Sequence, residues 1–501
     1  MSDAALSADD LCRQAERFWA RAQPAAALQA AWAAFDLDPS RRATKRLVAR
    51  LLHHHPAELK PDRLAAYLTL LSDPEIEPDR IGTAGWRLLL STTEPTENDG
   101  DDAHGTLIAS LQRDNLGLTL LRESPVYFAP AERLLSRLRR WLLLSGQWRS
   151  RPELIEALKI QGKLNGGAWP FDEAERAALA MPENGPMAVA YIPIRRQAEN
   201  AAASKAADPV TRAVAAQYEA WPYPAWTRIT VRDATRLPDV VADMDGEMAK
   251  ALPVAAHILI AGCGTGRQAA YVAASLPDAM VTAIDISEAS LAYARRQCAA
   301  LKITNVRFHK LDLHDVAQLE TRFHAIHCAG VLHHLSEPER GFKLLADALH
   351  PDGVMRIMVY NRVQRLVIAA ARALIADLVQ EPMSDDLLRR VRERVLQQPE
   401  QSFLSSVTRS ADFATLAGVH DLLLHRHEDP FDVMRIERAL DHAGLRMLSF
   451  SFPTPPVAAR YDAAFPDDPR HRDTKALASF TRSDPVVRAA HFRFWCCKSL
   501  H

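Results

Sequence analysis

The chain lacks a charge excess, a paired-cysteine motif and any long apolar run, and each absence removes a class of function. Lys and Arg number 61 against 62 Asp and Glu, for a formal net charge of -1 over 501 residues. Nothing in that balance draws the chain to nucleic acid or to an anionic membrane. The six cysteines (Cys12, Cys263, Cys298, Cys328, Cys496 and Cys497) contain no C-x-x-C pair. A zinc ribbon, a redox motif and a disulfide framework are therefore not expected; no metal site is assigned, and buried reduced thiols are the better reading. No stretch of about eighteen apolar residues occurs, so no membrane span is expected. The opening MSDAALSADD is acidic where a secretory signal would be basic and then apolar, which leads to the expectation of a cytoplasmic protein. Aromatics are also scarce, at 7%. Yet QYEAWPYPAW, residues 217–226, places four aromatic rings and two prolines in ten positions.

What is present divides into regions. The length suggests about three domains. Residues 1–91 read as short amphipathic helices broken at Pro24 and Pro39, and one helix pair ending in LDPS has the look of a tetratricopeptide-type unit. The polar, acidic STTEPTENDGDDAHG at 91–105 reads as a linker, residues 106–198 as a second helical region, and ENAAASKAADP at 199–209 as a second linker. From 210 to 501 apolar runs of five to seven residues come to alternate with helical patterns, the signature of an α/β domain with a mostly parallel sheet.

In HILIAGCGTGRQAAYVAASL a buried strand over His257–Ala261 runs into a turn rich in glycine (Gly262, Gly264, Gly266) and then a helix. Glycines there let the backbone turn sharply and approach a ligand, while a helix N-terminus offers unpaired N–H groups. AMVTAIDIS supplies a second strand ending in Asp285, about twenty residues on, where a carboxylate can accept both hydroxyls of a ribose. From Gly264 the run GTGRQA also fits the relaxed dinucleotide fingerprint, so an NAD-type oxidoreductase competes at this point. NVRFHKLDLHD places Asp312 after a third strand, where it can accept an adenine amine. FHAIHCAGVLHHLSEPERGFKLLADALHPDGVMRIMVY gives a fourth strand, a loop, a helix, a Pro-Asp-Gly turn and a fifth strand.

AGCGTG, AIDIS, LDLHD, GVLHHL and LHPDGVM, in this order and at these distances, resemble the class I S-adenosylmethionine-dependent methyltransferases. The resemblance covers residues 210–360 and resumes with LRMLSFSF and HFRFWCCKSL, similar to that family's sixth strand and its antiparallel seventh. It implies a seven-stranded Rossmann-like sheet behind an all-α, tetratricopeptide-like front, with S-adenosyl-L-methionine as cofactor. By motif it places Gly262, Gly264 and Gly266 under the methionine part, Asp285 at the ribose, Asp312 with the Leu313 backbone at the adenine and Gly330 beside the cofactor, with Cys263 and Ile286 also among the cofactor-binding residues. The front, QYEAWPYPAW and VTRSADFATLAGVHDLLLHRHEDPF together resemble a bacterial group of methyltransferases with fused helical repeats. Trp221 and Ala225 stand where that group often has asparagine and arginine, and His427 where it has glutamine.

Residues 360–445 form a long insertion between the fifth and sixth strands, with helices expected in VQRLVIAAARALIADL and SDDLLRRVRERVLQQ. An insertion there would stand over the carboxyl edge of the sheet as a lid. Pro222 and Pro224 stiffen the aromatic segment, so its rings either wall the cofactor pocket, with Tyr218 and Tyr223 foremost, or pack the helical front onto the catalytic domain. Candidates for proton handling are His333 and His334 after the fourth strand, with His333 favoured, Tyr360 after the fifth, and His425 with Glu428 in the insertion. The leading expectation is methyl transfer to an acceptor oxygen or nitrogen, with the helical front binding a protein partner or macromolecular substrate. A helical adaptor with a non-catalytic cofactor domain and an NAD-type oxidoreductase remain the alternatives.

Overall fold

A computed structural model of the chain describes residues 6–92, 101–191, 208–230, 233–399 and 401–499. Two compact units emerge. One comprises Met1–Trp19, Gln23–Arg196 and Ala369–Leu424; the other comprises Ala20–Ala22, Gln197–Ile368 and His425–His501.

The first unit is helical. Pro24–Leu37 starts on a proline, which fits a first helical turn, and buries Ala27, Leu28, Ala31, Trp32 and Phe35 along one side. One apolar core runs from Ala15 to Tyr191, through both regions that the sequence separates with a linker. Residues 93–100 of that linker lie outside the described residues, and a helix already runs over Asp101–Gln112. The first residues of this helix overlap the expected linker, and its Leu107, Ile108 and Leu111 are buried. The second linker, at 199–209, lies outside the described residues except for Asp208 and Pro209, which cap and begin the helix Pro209–Ala220.

Most of the insertion belongs to this helical unit. Its helices are Asp385–Leu396 and Leu416–Leu424, preceded by Arg365–Leu374. Arg392 makes a bidentate ion pair with Glu132, both nearly fully buried, and donates from Nε to the Phe413 carbonyl at 2.7 Å. Arg389 reaches the Gly167 carbonyl at 2.7 Å, and the Leu416 amide reaches the Asn165 carbonyl at 3.2 Å.

The second unit is built on seven strands: β1 (His257–Ala261), β2 (Met280–Asp285), β3 (Val306–Lys310), β4 (Phe323–Ala329), β5 (Leu349–Val359), β6 (Leu445–Phe450) and β7 (Phe492–Lys498). Their order is β3-β2-β1-β4-β5-β7-β6. The pairs among β1 to β5 are parallel, whereas β7 runs antiparallel to both β5 and β6. Because side chains alternate along a strand, Leu259, Ile284, Ile326 and Met355 pack one face while Ile258, Ile260, Val281 and Val354 pack the other. Both faces are covered, which explains the unbroken apolar reading of HILIA.

The fifth strand corrects one expectation. Pro351, Asp352 and Gly353 lie within β5 rather than in a turn before it. Phe323 pairs with Leu349 and Ala325 with Val354, so the extra residues of β5 bulge out of the ladder. The strand order reverses between β1 and β4, and the carboxyl ends of those strands border the crevice where open α/β sheets bind ligands.

Candidate functional site

Gly262, Gly264 and Gly266 follow β1 with φ of +67°, +51° and +83°, a left-handed conformation that side chains with a Cβ resist. Space enforces the choice as well. A Cβ on Gly262 would stand 2.3 Å from Val331 Cγ2, and one on Gly266 would stand 2.4 Å from Ala294 Cβ. The Cys263 amide donates to the Ile284 carbonyl at 2.9 Å, tying the turn to β2. The Cys263 thiol is buried and pushed well above its ordinary pKa, by that burial first and by the Asp285 charge next, so it serves packing rather than nucleophilic chemistry.

Asp285 ends β2 facing that turn. One carboxylate oxygen accepts the Gly264 amide at 2.7 Å and the other accepts the Ser287 amide at 2.9 Å. Burial raises its pKa, against the pull of the Ser287, Gly264 and Ile286 amides. Asp312 follows β3 and accepts both the amide and Nδ1 of His314 at 2.9 Å. Burial pushes that carboxyl upward, but the His314 bonds outweigh it and hold the pKa below the ordinary value. Leu313 is buried beside it, and Gly330, with φ of +76°, follows β4.

The aromatic segment clamps this turn. Trp226 Nε1 donates to the Thr265 carbonyl at 2.9 Å, and Thr265 Oγ1 donates to the Pro224 carbonyl at 2.5 Å. The Tyr223 carbonyl lies 3.1 Å from where a Gly264 Cβ would be. Behind it, the Trp226 carbonyl accepts from the Tyr293 hydroxyl at 2.5 Å and from Gln297 Nε2 at 2.9 Å. Glu219 and the Tyr218 carbonyl accept from Ser287 Oγ at 3.0 and 3.1 Å, and Glu219 also accepts the Ala289 amide at 3.2 Å. Trp226 thus belongs to a small core with Ile229, Ala270 and Cys298 inside the sheet unit.

A column of rings stands at the carboxyl ends of β4 and β5. His425 stacks on His334 at 3.6 Å between centroids, His334 lies 4.2 Å from His333, His333 stacks on Tyr360 at 3.7 Å, and Tyr360 stacks on His491 at 4.7 Å. Tyr218 Oη approaches His425 Nε2 at 3.3 Å. Arg365 lies 4.6 Å from the Tyr360 ring centroid and is ion-paired with Glu428, with both side chains buried. Burial, then the neighbouring imidazoles, hold the His333 pKa well below its usual value, and burial lowers that of His491 to about 4.

Residues 258–353, the span from β1 into β5, match the family described as the methyltransferase domain. That match and the reversed seventh strand identify the domain that the sheet unit carries. The sheet unit carries a class I S-adenosylmethionine-dependent methyltransferase domain.

This methyltransferase domain has several relatives. An uncharacterized protein of Synechococcus sp., syc1184_c, is 34% identical over 265 residues, which is 49% of this chain and 61% of the relative. The trans-aconitate 2-methyltransferase of Deinococcus radiodurans is 33% identical over 104 residues, 21% of this chain and 38% of that protein. Less than two thirds of the length of each is therefore covered. A solved structure of PKMT2 from Rickettsia typhi in complex with AdoHcy is similar at a TM-score of 0.40 and 16% identity, covering 56% of this chain and 55% of that one.

The residues singled out in the sequence fall into two groups in the methyltransferase domain. Gly262, Cys263, Gly264, Gly266, Asp285 and Ile286 gather at the glycine turn, with the Tyr223 carbonyl next to it and Asp312 and Leu313 following β3. His333, Tyr360, His425 and Glu428 gather at the ring column, and Tyr218 reaches both groups through its carbonyl and its hydroxyl. Sequence reasoning named His334 but favoured His333 over it, and it missed His491 and Arg365. His491 reads only as the start of a strand, and Arg365 only as a polar position on an amphipathic helix.

Proposed function

We propose that this chain transfers the methyl group of S-adenosylmethionine to an acceptor at the carboxyl edge of its sheet. The observation that carries the reading is the bond between the Gly264 amide and Asp285, which holds a carboxylate against a left-handed glycine turn. These residues suit the cofactor. The turn presents bare backbone, the end of β2 presents a carboxylate, and Asp312 presents a second one after β3. When bound, S-adenosylmethionine supplies a methyl group on a sulfonium, and aromatic faces such as those of Tyr218 and Tyr223 attract such a cation.

The chain's own contribution is position and dryness. Methyl transfer is an in-line displacement, so the acceptor lone pair must be aimed at the methyl carbon while water is excluded. The ring column, with His333 fully buried and the Arg365 charge offset by Glu428, provides a desolvated wall of fixed geometry. The helical unit is assigned the recruitment of a protein partner or macromolecular substrate, by analogy with the usual work of helical repeats. The acceptor is assigned as an oxygen or nitrogen.

Calorimetric titration of the full chain with S-adenosylhomocysteine, and separately with NAD, tests this reading. Binding of the homocysteine nucleoside that disappears in Asp285→Ala is the expected result. Binding of NAD alone would overturn it, and binding of neither would favour the adaptor reading.

A further inference from the structure

His333 follows β4 with 0% of its surface exposed. Its Nδ1 accepts the main-chain N–H of Tyr360 at 3.3 Å. A ring nitrogen that accepts from an N–H carries no proton, so the neutral imidazole holds its single proton on Nε2. That Nε2 is buried and has no hydrogen-bond partner among the described residues. Buried donors are nearly always satisfied, so one left over beside the carboxyl ends of β4 and β5 points to a group that a ligand brings. The ring is also held neutral by burial, by His334, His491 and His425, and by Arg365. With its lone pair occupied by the Tyr360 amide, His333 donates a hydrogen bond and cannot take a proton.

We infer that His333 donates its Nε2–H to one oxygen of a carboxylate on the acceptor substrate, and that the other oxygen of that carboxylate receives the methyl group. The inference rests on the methyl-transfer reading above and names its substrate class.

The proton inventory of the column supports it. His425 Nδ1 accepts the His427 amide at 3.2 Å, which places the proton of the neutral His425 ring on the Nε2 that faces Tyr218. Glu428 is committed to Arg365. Among these candidates, His333 and His425 thus already spend a ring lone pair on the main chain, Glu428 spends its charge on an arginine, and Tyr360 is a phenol that carries a proton of its own. A hydroxyl or amine acceptor has to surrender a proton. A carboxylate is already ionised at neutral pH and needs no base. In the step, a carboxylate oxygen forms a bond to the methyl carbon as the carbon–sulfur bond breaks and its electron pair goes to sulfur. A carboxylate and a sulfonium become a methyl ester and a neutral thioether, and no proton moves.

The test uses the chemical lability of the product. The full chain is incubated with S-adenosylmethionine tritiated in the methyl group and an extract of the producing cells, and the labelled products are treated with alkali. Methyl esters release volatile methanol, whereas ethers and N-methyl groups retain the label. Alkali-volatile label is expected, together with at least a tenfold loss of labelling in His333→Phe at an S-adenosylhomocysteine affinity within twofold of the parent. His333→Gln, which keeps an N–H donor, is expected to recover part of the labelling.

Alkali-stable label would overturn the inference and pass the proton-taking role to His334, whose Nδ1 donates to the His427 carbonyl at 2.8 Å and whose proton therefore lies on that nitrogen. Equal labelling by His333→Phe and the parent would also overturn it. Failure of the parent to bind S-adenosylhomocysteine, or to label anything while binding it, would instead remove the methyl-transfer reading on which the inference stands. If His333→Phe does not fold, the alkali result on the parent chain decides.

Discussion

The Gly264 amide donates to one oxygen of Asp285 at 2.7 Å while the Ser287 amide donates to the other at 2.9 Å, so a single carboxylate holds together the ends of two strands. Asparagine has only one acceptor oxygen, and its NH2 would face whichever amide remained. Asp285→Asn is therefore expected to weaken S-adenosylhomocysteine binding by about 10- to 100-fold, matching one lost charge-assisted bond. Calorimetric titration checks it, and an unchanged affinity would remove Asp285 from the cofactor site.

Trp226→Phe keeps the buried ring and deletes the N–H that reaches the Thr265 carbonyl at 2.9 Å. One neutral hydrogen bond of about 1 kcal/mol is lost. Because Thr265 lies within the glycine turn, the expectation is an affinity for S-adenosylhomocysteine lowered by about fivefold, alongside a small loss of stability to urea. A drop in stability with no change in affinity would show that the aromatic segment serves packing alone.

Glu132→Gln in the helical unit leaves the Arg392 guanidinium buried without its counter-charge, since the pair is exposed by only 2% and 5%. Breaking such a pair from one side costs about 3–5 kcal/mol. The urea transition of the helical unit, followed by circular dichroism, is expected to move to lower denaturant. A shift equivalent to less than about 1 kcal/mol would mean that water reaches the arginine.

Arg435 bridges Asp429, at 2.6 and 2.7 Å, and Glu339, at 2.7 and 3.2 Å. Its hydrogen bonds hold both carboxyls below their ordinary pKa. Groups with lowered folded-state pKa values contribute stability above their unfolded values, and lose it as pH falls through the folded ones. Arg435→Met is thus expected to cost about 1 kcal/mol at pH 7, a modest value because Asp429 and Glu339 are 39% and 40% exposed. That cost should shrink toward zero below about pH 4. Urea denaturation of both proteins at pH 7 and pH 3 measures it, and a difference that grows toward acid would contradict the assignment.

Much of the site was legible in the sequence because local rules place it. The strand over His257–Ala261 coincides with β1, since an apolar run bounded by glycines has few other uses. The three glycines mark backbone that only glycine adopts easily, and Asp285 and Asp312 stand at strand ends counted directly from the spacing. The reversed seventh strand was readable only through resemblance, because nothing in HFRFWCCKSL encodes its direction. The Pro-Asp-Gly run misled for a related reason: the residues that favour turns also favour bulges, and pairing with β4 chose the bulge.

By itself the sequence determined the alternation of strands and helices, the left-handed glycine turn and the positions of the two acidic residues, all consequences of φ/ψ preference and of periodicity along one segment. Only the tertiary structure decided that Trp226 clamps Thr265, that residues 369–424 join the helical unit, and that the Tyr360 amide takes the lone pair of His333. Those outcomes depend on which atoms from segments far apart in the chain come within about 3 Å of one another, and hydrogen bonds of that length are set by packing rather than by local propensity.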